Sequence, residues 1–280
     1  MPPEPQGMVT LMVMATGIRT GMITGTVKGT GTATATATAT ATTIAKPPMA
    51  EGAIFDLLTW MSPSWPIGAF AHSGGLEWAV EAGHVTSRVT CAAWLGDLLH
   101  HGPLHNDGVT FVHAWRAAVA DEAGRLAELA ELASASQTGF ERRLEATAQG
   151  DAFRRIARSA GGCDAAGLLL ARIGDAPLCY PVAAALQCGC SGVPLEAALT
   201  AFLHAAIANL VSASQRLVPL GQTDGQLVLR ELRPAVLAMA SRLAALPETD
   251  DPFLQMGGCT LLAELGCMAH ETQYTRLFRT

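Results

Sequence analysis

Arg216–Gln226, RLVPLGQTDGQ, joins the two longest helical runs in the chain. The run before it, Pro194–Leu217, is apolar on nearly every face between Ala197 and Ala213. A helix without a polar stripe either crosses a membrane or forms the centre of a soluble bundle. The run after it, Thr223–Leu246, alternates charged and apolar positions as a surface helix does. The loop is therefore read as a tight reversal between a central helix and its neighbour. Pro219 cannot continue a helix, Gly221 can take a positive φ, Thr223 can cap the next helix, and Asp224 falls in the first turn, where the dipole favours an acid. Punctuation does not account for Gln222 and Gln226 beside Asp224 and Arg216, a polar cluster where a short turn would suffice.

The membrane alternative is the weaker one. Ala197–Ala213 contains His204, Asn209, Thr200 and Ser212, and the sequence offers no second span to pack with it. A polar group in hydrocarbon needs such a partner, so a buried helix of a soluble bundle is expected. Pro194 suits the start of that helix, which at 1.5 Å per residue is about 36 Å long, the width of a domain.

Working outward, the pattern gives a short helix at Ala53–Trp60 and one capped by Thr86 or Ser87 that runs to His101, with Trp94, Leu95, Leu98 and Leu99 on one face. A third, capped by Asn106 or Asp107, runs to about Ala123. Arg125–Ala133, Thr138–Ser159, Asp164–Ile173, Tyr180–Cys190 and Gly257–His270 follow, and Pro234 is expected to kink or divide the helix after the central loop. Strand signals are weak, aromatic residues make up 5%, and Ala and Leu dominate. Residues 49–280 therefore read as an all-α, single-domain helical bundle with a central buried helix. Residues 1–48, with a Thr-Ala run from Thr32 to Thr43, have no stable period and read as a disordered extension.

The net charge is −6; the first 48 residues hold Arg19, Lys28 and Lys46 against Glu4, so the remainder carries −8. An acidic body argues against nucleic acid as a partner, because phosphate binding needs clustered Lys and Arg. Seven cysteines, an odd number set mostly in apolar helical runs, fit reduced thiols in the cytoplasm. Met8–Ala15 is apolar but lacks the basic region of a signal peptide.

Ser62–Val85 is a long loop in which Ser62-Pro63 and Trp65-Pro66 force extended backbone, Gly68 permits close approach and Gly74-Gly75 a sharp turn into a helix near Leu76. It either lays Trp65, Ile67 and Phe70 on the core or binds something. The ending, HETQYTRLFRT from His270 to Thr280, interleaves Tyr274, Leu277 and Phe278 with Arg276 and Arg279. Such residues anchor interfaces, and the Arg content favours a partner over docking on the protein's own core.

Chemistry is hard to find. The sequence contains no phosphate loop, HExxH or CxxC. Cys188 and Cys190 form a CxC pair, and His100, His101 and His105 cluster at a helix end, but Gly102-Pro103 breaks the helix that would align them. Ser73 lacks the strand–turn–helix context of a nucleophile elbow. Asp224 and Glu271 read as capping acids. No catalytic set, cofactor or metal site emerges. A helical enzyme with a site around Asp224 and Arg216 would require a small-molecule pocket there.

Three stretches carry a resemblance. SPSWPIGAFAHSGGLE (62–77) is similar to SPxxPxGxFxYSxGLE of the urease accessory protein F (UreF) family, RLVPLGQTDGQ is a close match to that family's central motif, and HETQYTRLFRT is similar to HExQxxRLFxS. Departures are His72 for Tyr, Gly74 for a larger polar residue, and Thr280 for Ser. The resemblance covers roughly Gly52 to the end. It implies an all-α homodimer without catalysis of its own, acting with urease accessory protein D (called H in some systems) and the accessory GTPase G on apo-urease to support GTP-dependent nickel insertion. It implies that His270, Glu271, Gln273, Tyr274, Arg276, Leu277 and Phe278 contact D, and that Arg216, Gln222, Asp224 and Gly225 lie near a dimer or GTPase surface. The alternative is a carrier that binds nickel directly through Cys and His residues.

Overall fold

The computed structural model describes residues 51–280 and, ahead of them, the backbone of Thr10–Leu11 (β1) and Ile23–Thr24 (β2). The chain divides into two compact units, Met1–Lys46 and Pro47–Thr280. In the first, β1 and β2 pair antiparallel, with Thr10 opposite Thr24 and Leu11 opposite Ile23. The expected disorder of residues 1–48, including the Thr-Ala run, otherwise lies outside the described residues.

The described residues of the second unit are all-α. The helices are α1 Ala53–Trp60, α2 Leu76–Glu81, α3 Arg88–His101, α4 Pro103–Val119, α5 Ala123–Ala135, α6 Phe140–Ala160, α7 Asp164–Ile173, α8 Tyr180–Cys190, α9 Leu195–Leu217, α10 Gln222–Ala244 and α11 Leu261–His270. The most extensive packing is of α8 on α4 and α6, and of α9 on α10.

The helix buried on every side is α8: all residues from Pro181 to Gly189 are buried. Small residues make this possible. A Cβ on Gly150 of α6 would lie 1.9 Å from the Leu178 carbonyl oxygen, and one on Gly189 would lie 2.9 Å from that of Trp115, so backbones meet where any side chain would part them. By contrast, only half of the most apolar stretch of α9 is buried. Its inner side carries Leu199, Phe202, Leu203, Ile207 and Leu210, while His204 and Ser212 are exposed. Rings bind the layers: Phe111 of α4 meets Phe202 at 5.0 Å, Phe202 meets Tyr180 at 5.3 Å, Tyr180 meets Phe153 of α6 at 5.9 Å, and Phe153 meets Trp65 at 5.9 Å.

Several boundaries differ from the sequence pattern. Ser87 does cap α3, with Thr90 returning the bond to the Ser87 amide. The cap of α4, however, is Gly102 with Pro103 at the first position, not Asn106 or Asp107, because Asn106 is used elsewhere. Its Oδ1 accepts from the Gly257 and Gly258 amides and its Nδ2 donates to the Gly258 carbonyl. Tied down in this way, Gly257 and Gly258 stay outside α11, which starts at Leu261. α10 is not divided at Pro234: Pro234 and Arg230, whose carbonyl loses its helical partner, are both on the exposed side of the helix.

Candidate functional site

Gly74 and Gly75 both take positive φ, 58° and 82°, and turn the long loop into α2. A Cβ on Gly75 would lie 2.6 Å from the Cys267 sulfur, so α2 and α11 touch at backbone distance. That approach brings Glu77 of α2, Glu141 at the start of α6 and His270 at the end of α11 together, all buried. His270 Nε2 lies 3.0 Å from Glu77 Oε2, and its Nδ1 lies 2.7 Å from Glu141 Oε2. Each ring nitrogen thus faces one carboxylate oxygen.

The two carboxylates also hold the segment after α11. Leu277 N–H donates to Glu77 Oε1 at 2.6 Å, Phe278 N–H donates to Oε2 at 2.9 Å, and Arg276 Nη1 donates to Glu141 Oε1 at 2.9 Å. Beyond them the chain pairs with the 68–75 loop. Arg279 N–H donates to the Ala71 carbonyl at 2.8 Å, while the Ser73 amide and hydroxyl both donate to the Thr280 backbone oxygen, at 2.7 and 2.9 Å. His72 Nδ1 and Thr280 Oγ1 are 2.7 Å apart, so two of the three departures from the family pattern touch each other. Burial pushes the His72 imidazole below its ordinary value, an effect that Glu145 partly offsets.

Phe278 is buried beneath Arg216, whose guanidinium carbon sits 4.3 Å from the ring centroid. Arg216 Nη1 also donates to the Phe70 carbonyl at 2.8 Å. Three stretches far apart in sequence are thus one structure. Docking on the protein's own core accounts for His270, Phe278 and Thr280, and internal bonds occupy Arg216 and Arg276. Tyr274 (103% exposed) and Leu277 (63%) face outward. Glu271 Oε1 accepts from the Phe140 amide and caps α6, as a capping acid should, and Gln273 Nε2 donates to the Thr275 carbonyl.

The rest of the central loop stays apart from this cluster. Asp224 Oδ2 accepts from the Gly221 amide at 3.2 Å, making Gly221 the cap of α10, in extended backbone, in place of Thr223. Gln222 Oε1 accepts from Gln215 Nε2. A Cβ on Gly225 would lie 2.5 Å from Gln215 Nε2, so this glycine lets α9 and α10 close on each other. In the long loop, Trp65 is buried while Phe70 is 71% exposed. Gly68 has nothing near it and is required for its φ of 77°, not for close approach.

Between the long loop, α4, α6 and the open side of α9 lies a cavity of about 630 Å³. Its walls are apolar (Trp60, Trp65, Ile67 and Phe202 among them), but Asp107, Arg142, Glu145 and Gln149 supply one polar end. Arg142 and Glu145 pair at 2.7 Å, and Thr280 Oγ1 donates to Glu145 Oε2 at 3.4 Å, so the tail abuts the polar end. Burial pushes the Asp107 carboxyl up to about 6, against the pull of Arg142. Neither Asp224 nor Arg216 lines this cavity. Among the described residues no group of three or more His, Cys, Asp or Glu side chains could hold a metal ion. Cys188 is buried in the core, Cys190 is partly exposed at the end of α8, and neither belongs to such a group.

Glu77 and Glu141, the acids that organise the site, are not among the residues singled out by sequence. Each sits in the first turn of its helix, where an acid is ordinarily explained by the dipole. The remaining signal is the presence of Glu77 in the GLE of the first motif.

Comparison with known proteins points the same way. The UreF family profile matches residues 85–233. Urease accessory protein UreF of Rhodopseudomonas palustris strain TIE-1 is 47% identical over 235 residues, 84% of this chain and 95% of the relative. That of strain BisB5 is 48% identical over 240 residues (85% and 96%), and that of Bradyrhizobium diazoefficiens strain USDA 110 is 47% identical over 228 (81% and 92%). The chain belongs to the UreF family.

Proposed function

We propose that this UreF-family chain is a non-catalytic scaffold of urease maturation, working in the cytoplasm as a homodimer. With accessory protein D (H) and the GTPase G it docks on apo-urease and supports GTP-dependent nickel insertion. The carrying observation is the likeness to urease accessory proteins over more than four-fifths of the chain. A docking role is supported by the surface beside the tail. Leu261, Leu262, Leu265 and Met268 on the outer side of α11 are exposed, as are Tyr274 and Leu277, an apolar area of the kind that marks an interaction site. In this reading Glu77, Glu141 and Arg216 hold the tail in shape, and Tyr274 and Leu277 meet protein D. Gln222, Asp224 and Gly225 keep the α9–α10 turn in form near the dimer or GTPase surface.

The test is a pull-down of the full chain with D and G, with nickel-dependent activation of apo-urease as the second readout. Deleting residues 272–280 should keep the helical signal and abolish co-purification with D. Retained binding by the shortened chain would reject the role given to the tail, and activation of urease without this chain would reject the scaffold itself.

A further inference from the structure

We propose that the cavity between the long loop, α4, α6 and α9 binds a small amphipathic amine, a primary ammonium on an aliphatic body, with Asp107 as its counter-ion and Gln149 as its second acceptor. The volume of about 630 Å³ falls within the roughly 300–1,000 Å³ of small-molecule sites. Its walls suit an alkyl chain. Trp60, Trp65, Ile67 and Phe202 line it, and Tyr180, also in the wall, spends its hydroxyl on the Met61 sulfur at 3.6 Å. Asn209, another lining residue, is tied down as well, its Nδ2 donating to the Ala69 carbonyl at 3.0 Å.

The polar end selects the head group. Arg142, Glu145 and Gln149 recur at i, i+3 and i+7 on one face of α6, and Asp107 of α4 lines the same cavity. Glu145 is already engaged. Arg142 Nη1 donates to its Oε2 at 2.7 Å, Gln149 Nε2 to its Oε1 at 3.2 Å, and Thr280 Oγ1 to its Oε2 at 3.4 Å. Arg142 is thereby committed to Glu145, and it pulls on Asp107 without forming an ion pair with it. Two acids against one guanidinium leave this end with negative charge in excess. Burial pushes the Asp107 carboxyl up to about 6, as expected of an acid short of a counter-charge. A monocation would restore neutrality, whereas a carboxylate would deepen the excess. Gln149 is 6% exposed. Its amide nitrogen must meet the Glu145 carboxylate, which leaves its carbonyl oxygen as an acceptor for the cavity it lines. A primary ammonium has three N–H donors to share among these oxygens.

The test titrates the full chain at neutral pH with octylammonium chloride, octanamide and octanoate by calorimetry. The expected result is one octylammonium per chain, bound about tenfold or more tighter than either of the others, the size of a hydrogen bond to a charged partner. Asp107→Asn should bring octylammonium down to the level of octanamide. An octylamine with a photoreactive diazirine at its far end, applied to the unsubstituted chain, should label residues 60–67 and 202–210, a readout that does not depend on a variant folding. Octanamide bound as tightly as octylammonium would overturn the inference, since the cavity would then take up hydrocarbon alone. So would a preference for octanoate, no binding by any of the three, or octylammonium bound at several sites per chain, as an acidic surface would do. A preference for the ammonium that survives Asp107→Asn, or labelling confined to other segments, would overturn it as well.

Discussion

Around α8 the buried surface is mostly hydrocarbon and backbone: Ala183 to Leu186, Cys188 and Gly189, with Gln187 the polar exception and rings from α4, α6 and α9 closing over them. Around the last eleven residues it is charged: Glu77, Glu141 and His270 are inside, with Arg276 and Arg216 reaching in from the edge. The first region depends on shape, and every neighbour contributes to it. The second depends on a few hydrogen bonds converging on two carboxylates, and each bond is made by a chain segment that could otherwise be solvated. Hydrophobic burial is non-directional and spreads its stabilisation over many contacts, whereas a buried ion network concentrates it. The core should therefore fail globally and the tail locally.

The largest effect is expected in the core. Gly150→Val must push α6 away from the Leu178 carbonyl, since even a Cβ would lie 1.9 Å from it. The neighbour is backbone and cannot turn aside. We expect a loss of about 3 kcal/mol or more, seen as a lower midpoint in urea with the whole helical signal moving together. Phe202→Ala, which removes the ring shared by Phe111 and Tyr180, should cost about 3–5 kcal/mol in the same way. Loss confined to one segment in either variant would erase the contrast between core and tail.

Glu77→Ala comes next. It leaves His270, the Leu277 amide and the Phe278 amide facing a buried hole, and removing one partner of a buried pair typically costs about 3–5 kcal/mol. The chain can escape most of that cost by releasing residues 271–280. Hydrogen exchange should show fast exchange in the tail with protection of α4, α8 and α9 unchanged, and a protease should nick the tail first. Global unfolding instead would mean that the tail is part of the core.

These two regions are also unequally legible in sequence. α7 and α8 match the pattern-based ranges residue for residue, and α1 does too, because Gly and Pro bound each of them. Boundaries slip where a side chain has a distant task, as when Asn106 leaves its expected cap to bind Gly257 and Gly258. The completeness of burial of α8 does not stand out in the sequence, for a related reason. Pro194–Leu217 is the longer apolar run, but the small residues of α8 let neighbours close on all sides. At the site, Arg216 and the tail stand out in the sequence as unusual. Their contact is not legible there, because no periodicity relates position 216 to 278 or 77 to 270. An acid at a helix start looks the same whether it faces water or a histidine.

Acid should sharpen the comparison. Burial pushes His72, His105 and His113 below their ordinary values, so all three are neutral in the fold and bind protons more readily when unfolded. Their contribution to stability is present at pH 7 and is lost as pH falls below the unfolded value of about 6.5 toward the lower folded ones. Asp107 runs the other way. Its folded value of about 6 lies above the unfolded one, so its contribution is present at low pH and is lost as pH rises through 6. In the parent the two slopes partly cancel between pH 7 and 5. Asp107→Asn removes the opposing slope, so its melting temperature should fall more steeply on acidification than the parent's. Parallel curves would mean that burial does not raise the Asp107 carboxyl and that it is ionised in both states across this range.

The smallest expected effect tests the hinge between the regions. Arg216 belongs to α9, a core helix, yet its guanidinium lies over Phe278 and binds the Phe70 carbonyl. Arg216→Lys keeps the charge over the ring but loses the planar fork that reaches Phe70 and stacks at the same time, whereas Arg216→Ala loses both. An exposed cation–π contact contributes about 0.5–1 kcal/mol. Neither change should be visible in a urea melt of the whole protein. In tail exchange rates the order should be parent slowest, then Lys, then Ala, spanning up to about a fivefold range for that energy. If Lys and Ala accelerate exchange equally, the bond to Phe70 carries the contact and the ring contributes nothing. If neither does, Glu77 and Glu141 hold the tail unaided and α9 has no part in it.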